Sequence, residues 1–164
     1  FAVLSGPEAQ PSETGLSQLR DTFGQWHEPI PALLHSTPEE SIQYLPIQEL
    51  ASPLPSYHTG KVVLVGDAAH AMTPNLGQGA CQGLEDAAVL AALLQNGNVD
   101  FGAYDEHRLR RSQNIARRSG LVGRTVHTGG ARIAAARNWV LQRMPDAATN
   151  RQVQAVTSWE MPAL

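Results

Sequence analysis

The residues best placed for chemistry lie in GKVVLVGDAAHAMTPNLGQGACQGLEDAAVLAALL, residues 60–94. A single carboxylate, Asp67, follows an apolar run and Gly66, and alanines come after it, so no bulky neighbour blocks its approach to a ligand. The run VVLV suits a strand buried on both faces, as in a parallel sheet. That would put Asp67 at the carboxyl edge of the sheet, where open α/β sheets hold ligands. A carboxylate there accepts hydrogen bonds from hydroxyls, such as those of a polyol or a ribose, and repels phosphate. Pro74 stiffens the following loop, and Gly77 and Gly79 remove side chains from it. A helix is expected to begin between Gly77 and Ala80, with its first amides unpaired. Those amides carry the positive end of the helix dipole, which would stabilise a flat, electron-rich edge turning negative by about 0.3–2 kcal/mol. Ala80, Gly83, Ala87 and Ala88 let such a helix lie close against a sheet or a ligand.

The elements that must position this corner are legible from periodicity. Residues 1–4 read as a short strand ended by Ser5, Gly6 and Pro7. Leu16, Leu19, Phe23 and Trp26 share one face of a helix over residues 12–26, which Pro29 and Pro31 stop, with a brief turn at ALLHS. Residues 37–40 are read as a turn. SIQYLPIQEL, residues 41–50, suits an edge strand, interrupted by Pro46 and with Ile42 and Tyr44 on one face. A Pro/Ser loop then leads to the strand at 61–66. After the loop, residues 78–94 form a helix ended at Asn96. Asp100 caps another to about Ser119. Gly120, Gly123, Gly129 and Gly130 punctuate a gap, and two further helices cover RIAAARNWVLQRM and the segment beyond Pro145.

Several other chemistries are excluded. The six histidines show no metal-ligand spacing, so no metal is assigned. No GxSxG elbow is present, which argues against a serine hydrolase. His70 reads as a packed or locally bonded side chain rather than a base, and Cys81 as a small filler beside a ligand rather than a redox centre. No residue is assigned a catalytic role. The arginines at 108, 110, 111, 117, 118 and 124 read as a solvated face or one packed on absent structure. No aromatics interleave with them and the net charge is −3, so nucleic acid is not an expected partner.

The 164 residues suffice for a sizeable core, with 42% hydrophobic and 16% charged. One cysteine permits no internal disulfide, which fits a reducing, cytoplasmic setting. No apolar stretch approaches the roughly 20 residues that span a bilayer. The opening FAVLSGPEAQ lacks an initiating Met and begins inside an apolar run, so it reads as part of something longer.

The segment GDAAHAMTPNLGQGACQGLED, residues 66–86, resembles the second FAD-binding signature of the single-component aromatic-ring hydroxylases, the para-hydroxybenzoate hydroxylase-like flavin monooxygenases. The resemblance implies an α/β chain, the C-terminal fragment of a Rossmann-like FAD-binding domain. Residues 1–58 would belong to the substrate domain, 59–99 to the FAD-binding strand, loop and helix, and 100–164 to helices packed on them. It implies that Gly66 and Asp67 meet the ribityl chain of FAD. Pro74 would lie near the reactive side of the isoalloxazine, and the backbone of Gly77, Gln78, Gly79 and Ala80 at its pyrimidine edge. NADH or NADPH would reduce the flavin, and O2 would supply the oxygen given to an electron-rich, aromatic small molecule. The GxGxxG unit that holds the FAD pyrophosphate in this family does not occur in the chain; GQGACQG spaces its glycines differently and follows the Asp67 loop. A missing N-terminal nucleotide-binding half is therefore the expected partner, and the chain alone is expected to be inactive. A non-catalytic module that binds no flavin, and a related reductase or halogenase, are the alternatives.

Overall fold

The structure, a computed structural model, describes residues 2–3, 15–95, 101–127 and 130–162. The chain divides into two compact units, Phe1–Pro46 and Ile47–Leu164. The first holds α1 (Leu16–Phe23) and α2 (Ile30–Ser36), followed by a 3-10 turn at Glu39–Ser41. Leu16 and Phe23, two turns apart on one face, are the buried residues of α1, and Phe23 meets Trp26 edge-on with ring centroids 4.8 Å apart. Residues 42–50 run without strand pairing, so the strand expected over 41–50 does not form. Pro46 removes a ladder donor there. The strand expected at 1–4 and the stops at 96–100 fall largely outside the described residues.

The second unit contains β1 (His58–Thr59) and β2 (Val62–Val63), an antiparallel pair with His58 opposite Val63. Gly60, at φ 57°, supplies the left-handed residue that so short a hairpin needs. Then come α3 (Asp67–His70), a 3-10 turn at Pro74–Leu76, α4 (Gly79–Gln95), α5 (Phe101–His127), α6 (Ala131–Gln142) and α7 (Asp146–Thr157). The expectation of a strand buried on both faces of a parallel sheet is corrected. β2 pairs only with β1 among the described residues, and Val62 and Val65 are 60% and 43% exposed. An apolar run reports what a segment is suited to bury, and here one strand pairs with it among the described residues while Val63 and Leu64 pack against the core. What the described residues show is a mostly helical arrangement with a two-stranded sheet.

Tyr57, Ala69, Val89, Leu93 and Tyr104 form the core of this unit, bringing the hairpin, α3, α4 and α5 together. Tyr57 is tied at both ends. Its amide donates to Asp105 Oδ1 at 2.9 Å, and its hydroxyl lies 2.7 Å from Ser112 Oγ. Burial raises the hydroxyl's pKa above its ordinary value, against the lowering effect of its hydrogen bond with Ser112. α5 runs unbroken past Ser119, correcting the expected stop there. Gly120 and Gly123 are inside the helix, where a side chain would press on Glu49 and Asn75 respectively. These glycines admit close neighbours rather than ending the helix. Among the described residues no helix is long and apolar enough to cross a membrane.

Candidate functional site

The backbone turns at Gly66, whose φ of 57° and ψ of −137° exclude residues with a Cβ except under strain. Asp67 then opens α3. Its side chain is exposed and, among the described residues, has no hydrogen-bond or ion-pair partner. Thr73 leads into the 3-10 turn, and the amide of Gly77 closes that turn on the carbonyl of Pro74 at 2.9 Å. Gly77 sits in the left-handed region at φ 62°. α4 starts at Gly79, within the expected window, so the amides of Gly79, Ala80 and Cys81 lack intrahelical partners. Pro74, Gly77 and Ala80 are exposed, while Gln78 is buried. A Cβ built on Gly66, Gly77 or Gly79 would meet nothing within 4 Å. The predicted residues thus leave open space before three glycines, and among the described residues the Asp67 carboxylate and the first amides of α4 are unpaired. Cys81 is exposed in the same first turn.

Beneath this surface lies a buried ionic network that the sequence reading did not assign. Asp86 of α4 is fully buried. Its Oδ2 accepts from the Gly66 amide at 2.9 Å and from His70 Nε2 at 2.6 Å, and its Oδ1 accepts from Arg108 Nε at 2.7 Å. Arg108, from α5 and also fully buried, further donates to Glu85 and to the carbonyl and side-chain oxygens of Gln82 at 3.1 and 2.8 Å. Arg111 adds two bonds to Glu85, at 2.7 and 2.8 Å. One carboxylate therefore joins the Gly66 turn, α3, α4 and α5. It fixes the direction in which the chain leaves for Asp67. The reading of His70 as a locally bonded side chain agrees with this geometry; its Nδ1 is buried without a hydrogen-bond partner among the described residues.

The expectation of a solvated arginine face is corrected for Arg108 and Arg111; Arg110, Arg117, Arg118 and Arg124 are exposed. A signal was present. Glu85 and Asp86 are the only charged residues in α4, and both are buried. Adjacent carboxylates in an otherwise uncharged helix require cations, and the next helix is the arginine-rich one.

Burial alone would raise the pKa of Glu85, but the hydrogen bonds and charges of Arg111 and Arg108 outweigh it and hold it below the ordinary value. Burial likewise opposes ionisation of Asp86, and is outweighed by the bonds from His70, the Gly66 amide and Arg108. Both groups hold protons less tightly when folded than when unfolded. Their stabilising contribution is complete above the unfolded carboxylate range, about pH 4–4.5, and is lost as pH falls through the depressed folded values. Thermal midpoints should therefore stay level from about pH 7 to about pH 5 and drop steeply below about pH 4. A midpoint that holds steady into stronger acid would contradict the coupling.

The chain belongs to the FAD binding domain family, whose model matches residues 33–119, more than half of the sequence. It is 33% identical over 162 residues to the aurachin C monooxygenase/isomerase of Stigmatella aurantiaca, covering 94% of this chain and 42% of that protein. It is 41% identical over 118 residues to a salicylate hydroxylase of Pseudomonas putida, covering 68% of this chain and 26% of that one. In fold it is similar to Klebsiella pneumoniae HpxO, a structure complexed with FAD and uric acid. The TM-score is 0.79 at 22% sequence identity, over 93% of this chain and 40% of that one. The chain thus spans less than half the length of these relatives. The likeness to HpxO shows a shared fold, although the described residues here are mostly helical with a two-stranded sheet.

Proposed function

We propose that this chain supplies the ribityl and isoalloxazine side of the FAD site in a monooxygenase that hydroxylates an aromatic or other electron-rich small molecule, with NADH or NADPH as reductant and O2 as oxygen source. FAD, when bound, supplies the redox chemistry and the activation of O2. In this reading the chain's own residues bind and orient. Asp67 accepts hydrogen bonds from ribityl hydroxyls, and Gly66 lets the polyol pass close to the backbone. Pro74 borders the reactive face of the ring. The unpaired amides at the start of α4, with Gly77 and Gln78 leading into it, meet the pyrimidine edge and stabilise negative charge there.

The observation that carries this is the conjunction of an unpaired carboxylate with open space before Gly66, Gly77 and Gly79. Open backbone and a free acceptor are what a flat ring bearing a polyol arm requires, and membership of the FAD binding domain family supports the reading. The division into substrate-domain residues 1–58, FAD-binding residues 59–99 and packing helices 100–164 belongs to the same reading. So does a nucleotide-binding half supplied from outside this sequence, since no GxGxxG occurs in it.

The test is to express the full-length protein and follow substrate-dependent NAD(P)H oxidation under O2, with product analysis across aromatic acids and hydroxylated heteroaromatics. A yellow protein that forms a hydroxylated product is the expected result. A colourless protein would favour a module without flavin, and flavin reduction without oxygenated product would favour a reductase.

A further inference from the structure

The 3-10 turn at Pro74–Leu76 is three residues long and closes on one backbone bond, Gly77 N–H to the Pro74 carbonyl. So short an element does not hold its own place. Its anchors come from α5. Thr73 Oγ1 donates to Ser119 Oγ at 3.1 Å, Ser119 Oγ donates to the Thr73 carbonyl at 2.5 Å, and Asn75 Nδ2 donates to the Ser119 carbonyl at 3.4 Å. Ser119 is fully buried. One turn further on, the Asn75 amide occupies the space that a Cβ on Gly123 would need. Glycine inside a helix is unfavourable, so its presence there is explained by the neighbour it admits. Thr73 and Asn75 are thereby drawn towards α5, and Pro74 between them is left exposed.

We propose that Ser119 and Gly123 are positioning residues, which seat the loop carrying Pro74 and Gly77 and so set where the flavin's reactive edge lies against the protein. This rests on the flavin reading above. Neither residue touches the cofactor in this account; both act through Thr73 and Asn75.

The experiment uses full-length apoprotein titrated with FAD, comparing wild type with Ser119→Ala, Gly123→Ala, Asn75→Ala and the Gly123→Ala/Asn75→Ala double variant. Ser119→Ala and Gly123→Ala should each raise the FAD dissociation constant about fivefold to tenfold, the worth of a hydrogen bond or two. Alanine is the better helix former, so Gly123→Ala has no reason to loosen α5, and a loss of affinity reports on the loop. In the Asn75→Ala background the clash is gone, and Gly123→Ala should add no further loss. Unchanged affinity in both single variants overturns the proposal. So does a Gly123→Ala effect of equal size with and without Asn75. Should Gly123→Ala fail to fold, Ser119→Ala alone decides in the same way. Wild-type apoprotein that takes up no FAD contradicts the flavin reading and removes this proposal with it. Uptake by wild type with unaltered variants contradicts only the positioning.

Discussion

Arg108→Met should destabilise the folded protein by about 3–5 kcal/mol, the cost of leaving a buried ionic partner uncompensated. The guanidinium is fully buried and bonds to Asp86, Glu85 and Gln82. Methionine keeps most of the volume but none of the donors, so Asp86 and Glu85 remain buried with one cation fewer. Arg111 still bonds Glu85, but Asp86 is left with no cationic arginine partner among the described residues, keeping the bonds from His70 and the Gly66 amide. Urea unfolding of the full-length protein measures the loss. Arg111→Met is the internal comparison: that side chain is partly exposed and water can replace its bonds, so its cost should be about 1 kcal/mol. Equal losses for the two variants would mean that Asp86 is not held mainly by Arg108.

Asp67→Ala should leave stability almost unchanged, because the carboxylate is exposed and unpaired among the described residues. It should nevertheless weaken FAD binding about tenfold to a hundredfold, the range for losing hydrogen bonds to a charged group. Asp67→Asn, which retains one acceptor oxygen, should fall between. Equilibrium titration of apoprotein gives the numbers. The same FAD affinity in wild type and Asp67→Ala would take Asp67 out of the site. The two variants separate the two carboxylates: one serves the ligand and the other the fold.

The local shape of residues 66–79 was in part legible in the sequence. The glycines at 66 and 77 sit at positive φ, the helix starts at Gly79, and the space before those glycines is open. Each follows from local chemistry: glycine where the backbone turns left-handed, and small residues where something must approach. The sheet was not legible. VVLV states a preference for burial that the single hairpin does not satisfy in this chain. The Asp86–Arg108 pair was missed because it joins residues 22 positions apart on different helices, a relation that no periodicity encodes. Gly120 and Gly123 misled for a related reason. Read alone they are helix breakers, but a helix tolerates them when a neighbour fills the missing side chain, as Asn75 does at Gly123. The apolar surface of α6, where Trp139 is 57% exposed, has no account in the elements described.

In the proposed site the Gly66–Asp67 turn and the tip of α4 hold the flavin. Hydrogen exchange on full-length apoprotein, before and after adding FAD, tests it most directly. Slower exchange on addition is predicted for the amides of residues 66–68 and 77–81, with those of α6 and α7 unaffected. Protection confined to other segments, with these amides exchanging as fast as before, would contradict it.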